Sequence, residues 1–139
     1  MAFEAGRIML SRIQNLLLKN DSFAVETTLA TKSYKQLVVQ AQQLGFRVVL
    51  LFFSLQTVAL AEARVQLRVA AGGHNIPNEI IERRFKRGLT NLFEIYLPLV
   101  NKVLLLDNSY GKLTLIAEQN DLKMTVFNKV NYEHLKTQL

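Results

Sequence analysis

Two uninterrupted apolar runs constrain the fold of this chain most. The segments "FRVVLLFFSL" at 46–55 and "KVLLLDNS" at 102–109 place Val, Leu and Phe side by side, without alternating polar residues. Such runs are typical of strands that are covered on both faces, as in a parallel sheet. The apolar stretch "VVLLFFSL" is only eight residues long, too short to span a bilayer. The sequence therefore predicts buried strands and no membrane partner.

Segments with helical character surround these runs and predict an α/β domain. Five helices are expected, at 3–19, 33–44, 57–71, from Pro77 onward and 131–139. Further strands are expected at 23–29 ("FAVETTL") and in a terminal pair, "KLTLIAEQ" and "KMTVFN". Helices that alternate with buried strands indicate a mainly parallel sheet flanked by helices, in one domain over 1–139.

Composition limits the classes of partner and site. The chain has no cysteine and two histidines, which excludes disulfides and thiolate metal sites. Its net charge of +6 favours anionic partners such as nucleotides, nucleic acid or acidic proteins. The first twenty residues are amphipathic and lack the continuous apolar core of a signal peptide. We therefore expect a cytoplasmic protein.

The segment "RVQLRVAAGGHNIPNEIIERRFKRGL", residues 64–89, concentrates the positive charge. Arg64 and Arg68 are four residues apart on one expected helix, and Arg83 and Arg87 are four apart on the next. Two such helices joined at a Gly-Gly turn can hold phosphate oxygens with arginine forks. Spacing alone favours a simpler interpretation, a surface whose arginines are solvated or form exposed ion pairs with neighbouring glutamates. Nucleic acid ranks last, because no aromatic residues for base stacking interleave with these arginines.

Polar residues at the ends of expected strands form a second candidate site. Glu26 and Thr28 end "FAVETTL", and Asp107 and Asn108 end "KVLLLDN". Ligands of parallel α/β sheets gather at the carboxyl ends of strands. A purely structural role explains the same residues. A strand end with a helix cap explains Glu26 and Thr28 equally well, and a turn explains Asp107 and Asn108 better than a ligand site does. His74, in the Gly-Gly turn, is by itself more often an incidental turn residue than a catalytic one.

Together these motifs resemble the zeta-toxin-like P-loop kinases, above all their small chromosomal group. The resemblance runs from about residue 2 to 127, and its most specific part is "GGHNIP" followed by "RRFKRGLTNL". It implies a nucleotide-kinase-like fold with a helical lid at about 57–93. It also implies ATP and Mg²⁺ as cofactors, a nucleotide or nucleotide-sugar as substrate, and an antitoxin or self-association as further partners.

The resemblance also implies roles for individual residues. Arginines of the lid are implied to neutralise charge on the transferring phosphoryl group: Arg68, Arg84 and Arg87. Residues implied to bind substrate are Glu26, Thr28, Arg64, His74 and Arg83. Two residues at a strand end are implied to lie near the adenine of the cofactor: Asp107 and Asn108.

One element of the family pattern is missing from this sequence. No G-x-x-x-x-G-K-[ST] motif is present, because Lys112 follows Gly111 but Leu106 and Leu113 occupy the other defining positions. In the family the first strand and P-loop precede the helix at 3–19, and that strand lies between "FAVETTL" and "VVLLFFSL". We therefore expect a truncated or start-misassigned kinase of little activity, with a gap, a direct pairing or another chain at that place. The alternative is a non-catalytic protein that binds nucleotides or a protein partner.

Overall fold

The computed structural model describes residues 2–139 and has a mixed α/β architecture. Over these residues the chain forms five α-helices: α1 Ala2–Leu18, α2 Tyr34–Gln43, α3 Val58–Ala70, α4 Asn78–Asn91 and α5 Lys129–Thr137. Each helix lies where the sequence predicts one. The Thr57 hydroxyl caps α3 by accepting a hydrogen bond from the Leu60 amide at 3.2 Å. Gly45, with φ of 88°, follows the end of α2.

One four-stranded sheet runs through the described residues in the order β1-β2-β3-β4. The strands are β1 Val49–Ser54, β2 Lys102–Asp107, β3 Thr114–Asn120 and β4 Lys123–Val126. β1 and β2 are parallel, whereas β3 is antiparallel to both β2 and β4. The prediction of a mainly parallel sheet is therefore wrong. Asp121 and Leu122 both have positive φ and form the two-residue turn that folds β4 back on β3.

The predicted strand at 23–29 is also absent. Its residues have no regular secondary structure, and from Ala24 to Thr28 they make no backbone–backbone hydrogen bond with the described part of the chain. Phe23 packs edge-on against Phe46 at one end of the segment, and Leu29 is buried in the core at the other. Residues with high β-propensity form a strand only when a neighbouring strand is present to pair with them.

The helices cover one face of the sheet. One side of the pleat carries the side chains of Val103 and Leu105 on β2 and of Ala117 on β3. All three are fully buried beneath the helices. The helices supply the remainder of this core, mainly Val38 of α2, Leu89 of α4 and Leu135 of α5. A π-helical turn, Leu92–Tyr96, extends α4 and adds the buried side chains of its two end residues.

The opposite face of the sheet is apolar but open, and we call it the bare face. Its apolar members are Val49, Leu51, Phe53, Leu104, Leu106 and Leu115. Leu51 is 49% exposed and Phe53 is 50% exposed. Both alternating positions of β1 and β2 are apolar, as the sequence predicts, yet only one face is covered. The expectation that these strands are covered on both faces is wrong for this chain.

The outer edge of β1 is open as well. The carbonyl of Ser54 accepts a hydrogen bond from the backbone amide of Asn108 at 2.9 Å. The carbonyl of Val48 likewise accepts hydrogen bonds from the backbone amides of residues 101 and 102. Even-numbered residues of β1 therefore direct their backbone groups toward β2, and odd-numbered residues direct theirs away. The sequence predicts a gap, a direct strand pairing or another chain beside this edge of β1. In the described residues no strand pairs with this edge, so the structure has the gap. None of the helices in residues 2–139 has the length and apolarity that a bilayer crossing requires.

Candidate functional site

The carboxyl ends of β1 and β2, the one parallel pair, converge on a polar cluster. Asp107 is the last residue of β2, Ser109 lies two residues beyond it, and Gln56 lies two residues beyond the end of β1. Asp107 and Ser109 are each 6% exposed. In α/β sheets this edge is the usual location of ligands, so the hydrogen bonding of its side chains decides what it can bind.

The carboxylate of Asp107 is fully engaged by its neighbours. Its Oδ1 accepts hydrogen bonds from the amide and the hydroxyl of Ser109, and its Oδ2 accepts from Gln56 Nε2 at 3.2 Å. The Ser109 hydroxyl in turn accepts a hydrogen bond from the backbone amide of Gln56 at 2.9 Å. These contacts satisfy the buried carboxylate without a cation, so Asp107 fastens the ends of the two strands together.

The C-terminal helix closes the cluster from another side. The carbonyl of Gln56 lies 2.7 Å from His134 Nε2 and accepts from Gln138 Nε2 at 3.0 Å. Tyr110 donates its hydroxyl to Gln56 Oε1 at 3.3 Å. Sequence analysis did not single out Gln56, Tyr110, His134 or Gln138, because Gln56 is more than 50 positions from each of its partners. The position of Gln56, two residues beyond a buried strand, was the available sequence signal for this cluster.

Arg64 connects the cluster to the arginine-rich helices. Its guanidinium donates a hydrogen bond to the backbone carbonyl of Asn108, which holds α3 at the end of β2. Arg64 is half-buried, whereas the other candidate arginines are exposed. The side chain of Asn108 makes no hydrogen bond within residues 2–139 and is half-buried. It is therefore the side chain of this edge with free hydrogen-bonding groups for a ligand.

α3 and α4 pack against each other as a helical hairpin. The Gly73 amide donates to the Arg68 carbonyl at 2.7 Å, and the Gly72 amide donates to the Val69 carbonyl at 3.0 Å. This pair of bonds is a Schellman motif, which ends α3 and reverses the chain. A Cβ at Gly73 would lie 2.8 Å from the Arg68 carbonyl oxygen, so the turn requires glycine there. α3 lies at the surface of the fold, because none of its side chains is fully buried.

The remaining arginines of the hairpin are exposed and carry no ion pair. Arg68 lies on α3, and Arg83, Arg84 and Arg87 lie on α4. Ion pairs within residues 2–139 are Arg47 with Asp121, Lys102 with Glu118, and Lys136 with Glu133. Of the two alternatives for this surface, solvated arginines or arginines in exposed ion pairs, the described residues match the first. The exposed charge is available to an anionic partner.

Thr28 borders α4, and neither Glu26 nor Thr28 is at a strand end as predicted. A Cβ at Gly88 would lie 2.8 Å from the Thr28 carbonyl oxygen, so the segment runs close against α4 at this point. Asn91 Nδ2 donates to the Leu29 carbonyl at 2.8 Å, one turn further along. The exposed side chains of Glu26 and Thr28 thus belong to a segment that contacts α4 at Gly88 and Asn91.

His74 is exposed in the turn of the hairpin and makes no hydrogen bond with other described residues. The structure therefore brings together Arg64, Asp107 and Asn108 on the sheet edge. It places His74 and the other arginines on the solvent side of the hairpin. Within residues 2–139 no group of three acidic or histidine side chains has the arrangement of a metal site. The Mg²⁺ that the family resemblance implies stays a prediction, because Mg²⁺ is usually held by one or two carboxylates together with substrate phosphates and water.

Comparisons with known proteins give a partial match. No protein-family model matches the chain, and no solved structure matches it. A Haemophilus influenzae protein described as "Uncharacterized protein" is 30% identical over 82 residues. The match covers 59% of this chain and 59% of that protein, so the chain spans less than two thirds of the relative's length. The candidate site is therefore judged on its own chemistry.

Proposed function

We propose that this chain is a phosphate-binding module of zeta-toxin-like kind, which binds a nucleotide or nucleotide-sugar through the α3–α4 hairpin. The observation that supports it most is the set of hairpin arginines without ion pairs, Arg68, Arg83, Arg84 and Arg87. An arginine that is solvated rather than paired gives up no protein contact when a phosphate approaches. Its planar fork then forms two parallel hydrogen bonds to phosphate oxygens.

The sheet edge supplies the second part of this proposal. Arg64 ties the hairpin to Asn108, so a ligand held by the hairpin lies near the carboxyl ends of β1 and β2. There the Asn108 side chain offers an amide for a nucleobase or ribose. Asp107 has a positioning role instead, because its oxygens hold Gln56 and Ser109.

Binding is expected without turnover. Phosphoryl transfer depends on a cradle of backbone amides and a lysine around the phosphates, and the sequence has no such motif. The described residues also contain no group of three acidic or histidine side chains placed to hold a metal ion. We therefore propose a binding role for Arg68, Arg84 and Arg87 in this chain. A phosphoryl-transferring role would require the missing phosphate-binding loop.

Isothermal titration with ADP, ATP and a UDP-sugar tests the proposal. We expect binding that weakens as salt rises, and about tenfold weaker binding for Arg68→Ala or Arg84→Ala. Arg12→Ala is the matched control, because Arg12 is also exposed and without an ion pair but lies on α1. Equal affinity of the control and the hairpin variants, or no binding at low salt, contradicts the proposal. Release of ADP from ATP contradicts the expected lack of turnover.

A protein-interaction role is the second candidate, and the bare face supports it. Monomeric proteins seldom expose a continuous apolar patch of several hundred Å² unless it contacts a partner. The bare face combines six large apolar side chains with the open edge of β1. A pull-down or thermal shift that responds to a protein and not to nucleotides favours this second role.

A further inference from the structure

A second unpartnered apolar surface lies on α1. The apolar residues Phe3, Leu10 and Leu17 are spaced seven apart, so they share one stripe of the helix with Ile13. Leu17 and Ile13 are buried against Ala41 of α2. Phe3, in contrast, is 91% exposed and Leu10 is 56% exposed. One continuous stripe is therefore covered by the protein in its C-terminal half and uncovered in its N-terminal half.

The two uncovered surfaces are of complementary kinds. An amphipathic helix laid on an apolar sheet face is the usual way in which α/β proteins cover their sheets. This chain has a bare sheet face without a helix, and a helix stripe without a surface to cover. We propose that two copies of the chain form a symmetric dimer, in which the N-terminal half of each α1 docks on the bare face of the other.

The α1 of the same copy does not cover the bare face, because it is held on the helical side of the sheet. Its last two turns are held on α2 through Ile13 and Leu17, and by two hydrogen bonds between the amides of Gln14 and Gln40. Val38 of α2 lies in the core cluster of the covered face. α1 is one continuous helix from Ala2 to Leu18, so its N-terminal half projects from the helical side.

The reciprocal arrangement enlarges the contact that a dimer can bury. The largest apolar patches on protein surfaces cover about 300–600 Å², and a stable interface takes about 800 Å² from each partner. In a two-fold arrangement each copy contributes both its helix stripe and its sheet face, so the dimer buries more than either patch alone provides.

The charges of the bare face permit a partner with the same net charge. Lys102 and Glu118 are the charged residues of this face in β2 and β3, and they neutralise each other at 3.0 Å. The general repulsion between two copies of charge +6 remains, and it is screened by salt. Dimerisation should therefore strengthen as salt rises, whereas the proposed nucleotide binding should weaken.

Sedimentation velocity at micromolar concentrations tests the dimer with three single variants. Leu10→Lys alters the helix stripe and Leu51→Lys alters the bare face. Leu67→Lys is the matched control, because Leu67 is an exposed leucine of α3, 71% exposed, that belongs to neither surface. We expect dimers for the wild type and the control, and at least about tenfold weaker association for the other two. Circular dichroism on every variant checks that each remains folded.

A mixing experiment separates reciprocal docking from other dimers. The Leu10→Lys copy keeps an intact face and the Leu51→Lys copy keeps an intact helix, so their mixture retains one of the two contacts. We expect the mixture to associate more tightly than either variant alone and less tightly than the wild type. A monomeric wild type overturns the proposal. So does a Leu10→Lys variant that dimerises normally, or a mixture no tighter than its components. Nucleotide titration of Leu51→Lys reports on the hairpin separately, since Leu51 lies outside it.

Discussion

The two faces of the sheet are built from the same kinds of residue but have different surroundings. Leu105 on the covered face is completely buried, whereas Leu51, on the neighbouring strand, is about half exposed on the bare face. The runs "VLLFF" and "VLLL" place apolar side chains on both faces alike. The difference comes from the helices, which pack on one side. A strand's sequence thus records the environment it requires, and the packing of the chain decides how much of that environment is supplied.

Truncation of one leucine on each face should give the largest contrast. Leu105→Ala leaves a cavity in a fully packed core and should lower the free energy of unfolding by about 2–5 kcal/mol. Leu51→Ala removes a side chain that water already contacts, and should change the free energy of unfolding by less than about 1 kcal/mol. Urea unfolding, measured at protein concentrations low enough to keep the chain monomeric, gives both values. Equal losses would show that the bare face is covered within the monomer.

Two helical glycines extend the comparison to the helices. A Cβ at Gly88 meets the Thr28 carbonyl oxygen at 2.8 Å, and a Cβ at Gly6 meets nothing within 4 Å. Gly88→Ala should therefore destabilise the chain by about 1–3 kcal/mol, because α4 or the 24–28 segment must move. Gly6→Ala should be neutral or stabilising by up to about 1 kcal/mol, since alanine favours a helix. Thermal unfolding of the two variants decides between these signs.

The smallest expected effect concerns the ionisation of Glu118 on the bare face. The hydrogen bond from Lys102, and a second from Asn120, lower the pKa of the Glu118 carboxyl below its ordinary value. The group therefore stabilises the fold above its unfolded pKa, and this contribution is lost as pH falls through the lower folded pKa. NMR titration of the side-chain carboxyl should show this, and Lys102→Met should raise the pKa toward the ordinary range. An unchanged pKa in that variant would show that Lys102 is not the cause.

Local signals sufficed for much of the fold. Caps and stops such as Thr57 and Gly45, together with helical spacing, predict all five helices to within a few residues. The apolar runs predict β1 and β2, and the terminal pair of short strands is confirmed as β3 and β4. The caps, the helical spacing and the β3–β4 turn depend on contacts within one element or between elements adjacent in sequence, where residue spacing is informative.

Contacts between distant segments were the part that sequence did not reveal. "FAVETTL" has the composition of a strand, but whether it becomes one depends on a partner strand, and none of the described strands pairs with it. The polar cluster around Gln56 joins residues from β1, β2 and α5. The sequence places Asp107 at a strand end as a candidate ligand contact, and the structure adds the contacts of its carboxylate with Gln56 and Ser109. The functional roles of the hairpin arginines stay predictions.

The single parallel pair has a consequence for how the chain folds. β2, β3 and β4 follow one another closely, so their pairings form from short loops, whereas β1 pairs with residues 53 positions further along the chain. Closing such a long loop is slow, because its entropy cost precedes the contacts that offset it. The intervening segment contains the α3–α4 hairpin. Docking of β1 on β2 should therefore be the late step of folding, and anions that order the hairpin should accelerate it.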